Sequence, residues 1–361
     1  MGIHKLYHVT MRENRDMLDK SLNHENDLII YADWDTDGAT SAAMIYYSQY
    51  HKRKYPLEGK AEIYLRPSDA RSLVEKLKNI GKCPAAMTIL DIPLTRQLFQ
   101  SLGKLNNICK ETRLIYIDHH YSTIYLSKKL EKITEEVFIG HKPTAVLTFN
   151  LLRSLGIKTL TPRLRAFMTA VGVLERSPKD KIKVSRELVK LAASISKASN
   201  ILKDEDIWRK LVKWLANPLP QDLPIDRRVL EEVKKIAEQS DRELKEITNE
   251  LAFAARRVGY IKFVDARGKW RKQGASALAS ALYRKFRQPV ALLVEKTDPS
   301  PRLLLIIRTR NKGAYKIAMG FLRDKLAEEI GGHGNIAIIR LREGIKLEEI
   351  ETTLRKLSLR I

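Results

Sequence analysis

The sequence predicts an α/β protein: a mainly parallel, doubly wound sheet in a first domain, a helical linker, and a smaller α/β domain behind it. Three observations carry this. Over the first 160 residues short β-rich runs alternate with helical patterns, which implies a parallel sheet covered by helices on both faces. A proline-rich break, NPLPQDLP, falls at 217–224. Strand-like runs then return and alternate with helices to the end of the chain. The expected division is residues 1–216, a linker and connecting helix at 217–257, and a second domain at 258–361; 361 residues suffice for cores in both.

The first strands are DLIIYAD (27–33), AEIYLRP (61–67), AAMTILD (85–91) and RLIYIDHH (113–120). Their near-continuous apolar character suits strands buried on both faces. ATSAAMIYYSQYHK, SDARSLVEKLKNI and LTRQLFQSLGKLNNI read as the helices between them. PTAVLTFNLLRSLG and PRLRAFMTAVGVLE each open on proline, which fits a first helical turn. A helical stretch continues to about residue 215. From Asp226 to about Arg257, Val229, Val233, Ile236, Leu244, Ile247 and Leu251 recur at helical spacing. YIKFVDA, PVALLVEK, RLLLIIRTR and NIAIIRL are the strands of the tail.

With 44% hydrophobic and 30% charged residues the chain has a globular composition. No apolar run approaches the roughly 20 residues that cross a bilayer, so no membrane partner is expected. The opening MGIHKLYHVTMREN has no secretory core, which points to a cytoplasmic protein. In that compartment Cys83 and Cys109 are expected as buried or free thiols. The net charge of +23 favours polyanions, chiefly nucleic acid. Residues 251–290 hold ten Lys/Arg against one acid, Asp265, with Tyr260, Phe263 and Trp270 interleaved. Aromatic faces among cations can stack on unpaired bases.

The residues with chemistry sit where the strands end. YADWDTDG at 31–38 places Asp33, Asp35 and Asp37 at alternate positions before Gly38. Three like charges so close fit either a bound cation or a solvated turn, and the segment alone leaves both open. Asp91 ends the third strand; Asp118 ends the fourth and is followed by His119 and His120. In a parallel sheet the working residues gather beyond the carboxyl ends of the strands. Carboxylates with one or two imidazoles suit Mn²⁺ or Mg²⁺. Neither cysteine has the spacing of a structural zinc site.

DWDTDG, the aspartate of TILDIP and DHH at 118–120 resemble the first three motifs of the DHH phosphoesterases, and GGHGN at 331–335 resembles the GGH motif of that family's companion domain. Within the family the chain is similar to the RecJ-like nucleases of the archaeal branch. The resemblance implies a DHH domain followed by a DHHA1-like substrate domain. It also implies two-metal phosphoester hydrolysis, with the ions about 3.5–4 Å apart. Carried over by position, Asp91 bridges both ions, Asp35 binds the first, and Asp37 and His119 bind the second. Asp33 ligates directly or through water. Asp118 orients its neighbours, and His120 contacts the phosphate or protonates the leaving group. Gly331, Gly332, His333 and Arg308, with Arg310 beside it, form the phosphate handle.

Two positions depart from the family pattern. Tyr31 stands where the pyrophosphatase-like branch has a histidine, which favours the nuclease branch. The fourth-motif aspartate is replaced by Arg176, with Glu175 one position earlier. Glu175 serves as the second ion's last ligand if the helix has ended there; Asp180 is a poorer candidate. The expected function is therefore a Mn²⁺- or Mg²⁺-dependent exonuclease on single-stranded DNA or RNA, in repair or replication, with a helicase or replisome protein as a further partner. The alternatives are a phosphodiesterase of short oligonucleotides, cyclic dinucleotides or phosphoadenosine phosphate, and a replisome scaffold with weakened chemistry.

Overall fold

The computed structural model describes residues 26–157, 160–175, 184–270, 274–296, 302–310 and 313–359. The first part of the chain runs β1 (Asp27–Ala32), α1 (Thr36–Tyr50), β2 (Glu62–Pro67), α2 (Ala70–Lys78), β3 (Ala86–Leu90), α3 (Arg96–Ile108), β4 (Arg113–Asp118), α4 (Tyr121–Leu130) and β5 (Glu136–Ile139). These strands form one sheet in the order β2-β1-β3-β4-β5, and every pairing is parallel. Alternate residues of β1 enter opposite cores. Leu28, Ile30 and Ala32 pack with α1 and the helices behind it, whereas Ile29 and Tyr31 pack with α2 and α3. Covering helices on both faces explain the unbroken apolar strands, and the doubly wound expectation holds.

Helices α5 (Thr144–Ser154), α6 (Pro162–Leu174), α7 (Arg186–Leu202) and α8 (Glu205–Ala216) follow, then the long α9 (Arg227–Phe253). Pro162 opens α6 as expected, but Pro143 lies one residue outside α5, at its cap position. The stretch read as helical to residue 215 is broken at Lys203, whose φ of 46° ends α7. Beyond α9 come β6 (Arg256–Val258), β7 (Ile261–Asp265), α10 (Ala275–Phe286), β8 (Val290–Lys296), β9 (Arg302–Arg308), α11 (Gly313–Arg323), β10 (Ala327–His333), β11 (Ile336–Leu341) and α12 (Leu347–Ser358). They build a six-stranded sheet in the order β10-β11-β9-β8-β7-β6. Among the described residues no helix is long and apolar enough to cross a membrane.

Two expectations need correction. Cys83 and Cys109 form a disulfide across a Cα–Cα distance of 5.4 Å. The reason is topological: α3 runs back antiparallel to β3 and returns Cys109 beside the segment that enters the strand. Phe263 is fully buried and Trp270 is only 9% exposed, so both serve the core and cannot stack on bases, whereas Tyr260 is 60% exposed. Gly331, Gly332 and His333 all lie in β10. The strands β5, β6 and β10 were not expected. EVFI and RRV are very short, and AEEIGGH has no apolar alternation to mark a strand.

Candidate metal centre at the carboxyl edge of the first sheet

β1 ends at Ala32, and the next five residues deliver three carboxylates in different directions. Asp35 caps α1, accepting from the backbone N–H of Asp37 at 2.8 Å and of Gly38 at 3.0 Å. A Cβ on Gly38 would lie 2.4 Å from the Asp33 carbonyl oxygen, so only glycine lets the first turn of α1 fold onto Asp33. Asp37 points away toward α5. Its two oxygens accept from the backbone N–H of Thr144 at 2.9 Å and of Ala145 at 2.7 Å.

Asp91 leaves β3 with φ of 59°. Aspartate enters this left-handed region at a cost of roughly 1–3 kcal/mol, and such residues cluster where function demands an awkward aim. Its carboxylate accepts from the Thr144 hydroxyl at 2.8 Å and stands 3.3 Å from Nε2 of His119. His119 Nε2 is also 3.8 Å from Asp37. Asp118 is fully buried at the end of β4. It holds Nδ1 of His120 at 2.7 Å and accepts from the Thr123 hydroxyl, leaving Nε2 of His120 for the cleft.

The second sheet supplies the other wall. Glu175 sits at the cap position where α6 has stopped, and its carboxylate lies 2.9 Å from Nδ1 of His333 at the end of β10. The His333 ring is 4.7 Å from that of His119 and 5.2 Å from that of His120. The Tyr121 hydroxyl donates to the Gly334 carbonyl and ties the two sheets together beside this contact.

The electrostatics follow from this crowding. Burial and mutual repulsion push the carboxyl groups of Asp33, Asp37 and Asp91 well above their ordinary range; burial and the charge of Glu175 raise Asp35 as well. Burial also opposes ionisation of Asp118, but His120 overcomes it and holds this carboxyl below its usual value. Burial would raise Glu175 too, yet its hydrogen bond to His333 and the neighbouring imidazoles bring it down to about 2. His333 moves up in return, since the charges of Glu175, Asp35 and Asp37 outweigh its burial. Burial and the two other imidazoles lower His119 to about 3, so it is neutral and available as a ligand.

Ligand atoms of Asp33, Asp35 and Asp91 lie within 4.8 Å of one another, and so do those of Asp91, His119 and His120 and those of His119, Glu175 and His333. Oxygen and imidazole donors, with carboxylates kept from ionising only by one another and by burial, fit hard divalent cations. The bonds to α5 use one lone pair of each Asp37 oxygen, and this carboxylate stays beside the cluster, 3.8 Å from Nε2 of His119, where its charge helps to raise Asp91.

The phosphate handle divides in two. Gly332 has φ of 94°, and a Cβ there would meet the Ile336 carbonyl oxygen at 2.4 Å, so its backbone requires glycine. Nothing lies within 4 Å of a Cβ built on Gly331; its missing side chain leaves open space over the strand. Arg308, the last residue of β9, is 8% exposed and lies 5.6 Å from the centre of the Tyr283 ring. Arg310 donates from Nε to the Tyr283 hydroxyl at 2.9 Å. Arg176, Pro178 and Asp180 lie outside the described residues. Sequence reasoning missed Thr144, which serves Asp37 through its amide and Asp91 through its hydroxyl. Its only sequence signal is a buried-type polar residue opening a helix after Pro143.

No protein-family model matches the chain, and no curated protein matches it in sequence. Solved structures do. RecJ of Thermus thermophilus in complex with Mn²⁺ superposes with a TM-score of 0.59 at 14% identity, over 96% of this chain and 54% of that one. A DHH domain from a member of a ribosomal-protein family gives a TM-score of 0.58 at 16% identity, over 93% and 87% of the two chains. The chain has the RecJ-like fold of the DHH proteins. An exonuclease RecJ bound to manganese agrees, with a TM-score of 0.52 at 13% identity over 96% and 93%. The chain thus spans about half the length of the Thermus RecJ. In this RecJ-like fold both sheets bring their motifs to one cleft: the aspartates and histidines from the first, GGH from the second.

Proposed function

We propose that the chain is a metal-dependent phosphodiesterase, a RecJ-like exonuclease hydrolysing single-stranded DNA or RNA. The observation that carries this reading is the contact of Glu175 with His333. It joins a cation-type donor cluster on one sheet to a phosphate-type handle on the other. Asp33, Asp35, Asp37, Asp91, His119 and Glu175 would hold Mn²⁺ or Mg²⁺, two ions as the resemblance implies. Such ions supply a nucleophile at neutral pH and neutralise charge on the phosphoryl oxygens.

The chain's own groups have distinct tasks. His333, fixed through Nδ1 by Glu175, keeps Nε2 to donate to a non-bridging phosphate oxygen. Gly331 lets the phosphate approach the backbone of β10. His120, held through Nδ1 by the anionic Asp118, presents Nε2 to the leaving oxygen and gives it a proton as the P–O bond breaks. The one Glu175 carboxylate can serve His333 with one oxygen and a cation with the other. A role in DNA repair or replication follows from the family resemblance.

End-labelled single-stranded DNA and RNA incubated with Mn²⁺, Mg²⁺ or EDTA test the reading. Progressive shortening with Mn²⁺, none with EDTA and none with Asp91→Ala is the expected result. Near-wild-type turnover by Asp91→Ala in Mn²⁺ refutes it; good turnover of dinucleotides with no action on longer strands moves the assignment to a small-nucleotide phosphodiesterase.

A further inference from the structure

The register of the second sheet lines up a row of residues that the sequence scatters over 77 positions, from Arg257 to His333. His333 on β10 pairs with Ile336 on β11, and Ile336 pairs with Arg308 on β9. Arg308 pairs with Val290 on β8, Val290 with Lys262 on β7, and Lys262 with Arg257 on β6. Directly paired residues share a face of a sheet. Val290 and Ile336 pack against the core under α9 and α10, and Arg308 is only 8% exposed. A strand can therefore follow the row only along the rim at the sheet's end, where Arg257 is exposed and Lys262 half-buried.

Aromatic rings from the last turn of α10 accompany the row. Arg308 lies over Tyr283, and Lys262 lies 5.9 Å from the centre of the Phe286 ring. Arg310 also reaches Tyr283. At the far end the turn after β6 exposes Tyr260. Arg257 and Lys262 stand directly opposite each other at this edge of the sheet, Arg257 donating from Nε to the Gly259 carbonyl at 3.1 Å, and two like charges so paired favour an anion beside them. The acids of this hairpin region are engaged elsewhere: Glu351 with Arg256, and Asp265 with Arg267.

We infer that this row is a track for a single strand, leading from the His333 cleft along the end of the second sheet to Lys262, Arg257 and Tyr260. The inference rests on the single-strand reading above and adds the path of the strand beyond the scissile phosphate. Five strand spacings make the track about 24 Å long, enough for about seven nucleotides at the 3.4 Å spacing of a stacked strand and for fewer when extended. Cations follow the phosphates, and Tyr260 offers a face to a base.

The test is the length dependence of binding by the double variant Arg257→Gln/Lys262→Gln, which keeps both aliphatic stems. Affinities for oligodeoxynucleotides of roughly three and roughly twelve nucleotides are read by fluorescence anisotropy in EDTA, with melting temperature as the control of folding. The variant should lose about tenfold in affinity for the longer strand and less than twofold for the trimer. Its salt slope on the longer strand should fall by about 1.4, the share of two phosphate contacts on single strands. If the wild type gains affinity with length and the variant gains as much, the track is wrong and the single-strand reading stands. If the wild type itself gains nothing with length, both fall together. Replacing Tyr260 by leucine should weaken the longer strand severalfold and phenylalanine should restore it; equal behaviour of the two removes the stacking step.

Discussion

A carboxylate one residue ahead of its expected place reaches the cluster because α6 stops at Leu174 and Glu175 has φ of −79° and ψ of 2° at the cap. A step within a helix would have rotated the side chain by about 100°, out of the cleft. Glu175→Gln keeps the shape and removes the charge. The rate should fall at least tenfold and the Mn²⁺ requirement should rise; unchanged activity and an unchanged metal titration would place the last ligand elsewhere. Asp91 permits a test free of activity. Its pKa is raised in the fold, so in EDTA its ionisation destabilises the protein at every pH above the unfolded value near 4, and the cost disappears below that value. Asp91→Asn should therefore melt higher than the wild type at pH 8 in EDTA, with the gain shrinking as pH falls toward 4. A gain that is constant with pH would mean that charge is not its cause. That aspartates end β1, β3 and β4 was legible, because each near-continuous apolar run stops abruptly on an acid. The left-handed backbone of Asp91 was not, since no residue type demanded it.

Helix α5 shows what a strand-and-helix reading leaves out. Its cap position is occupied by Pro143, which makes no side-chain cap hydrogen bond. Asp37 supplies the missing acceptors from more than a hundred positions away, and a carboxylate at a helix N-terminus also meets a favourable dipole. Asp37 thus has a structural task that Asp91 lacks. Asp37→Ala should lower the stability of the EDTA-treated protein by about 1–2 kcal/mol, the range of a lost cap. A melting temperature at or above wild type would show that relief of repulsion outweighs the cap. The sequence reveals caps within a helix's own neighbourhood, as at Asp69 and Ser185, but not those donated by a distant element. The same limit hid the disulfide: two cysteines 26 positions apart meet only because α3 reverses against β3. The closed loop stabilises the chain by about 3–4 kcal/mol in the chain-entropy model. Reduction under non-denaturing conditions should accordingly lower the melting temperature, and a Cys83→Ser/Cys109→Ser variant should be insensitive to reductant.

At the scale of the molecule the question is whether the charge of +23 acts as a diffuse field or through a defined path. The two give different salt laws. A diffuse excess of cations engages phosphates in proportion to strand length, and the log–log slope of affinity against salt keeps growing as the strand lengthens. The cleft and the row along the second sheet offer four permanent cations: Arg308, Lys262 and Arg257 in register, and Arg310 just past β9, bound to the Tyr283 hydroxyl. At about 0.7 per phosphate on single strands, they set a slope near −2.8. Affinity should reach this slope once the strand spans the row and then stay constant as the strand lengthens further. Arg308→Ala should reduce the slope at all lengths, because this residue stands nearest the His333 end of the row. A slope that continues to steepen in strands longer than the row would assign binding to the general surface charge. A slope near zero would exclude phosphate-backbone recognition and leave the cleft to small nucleotides.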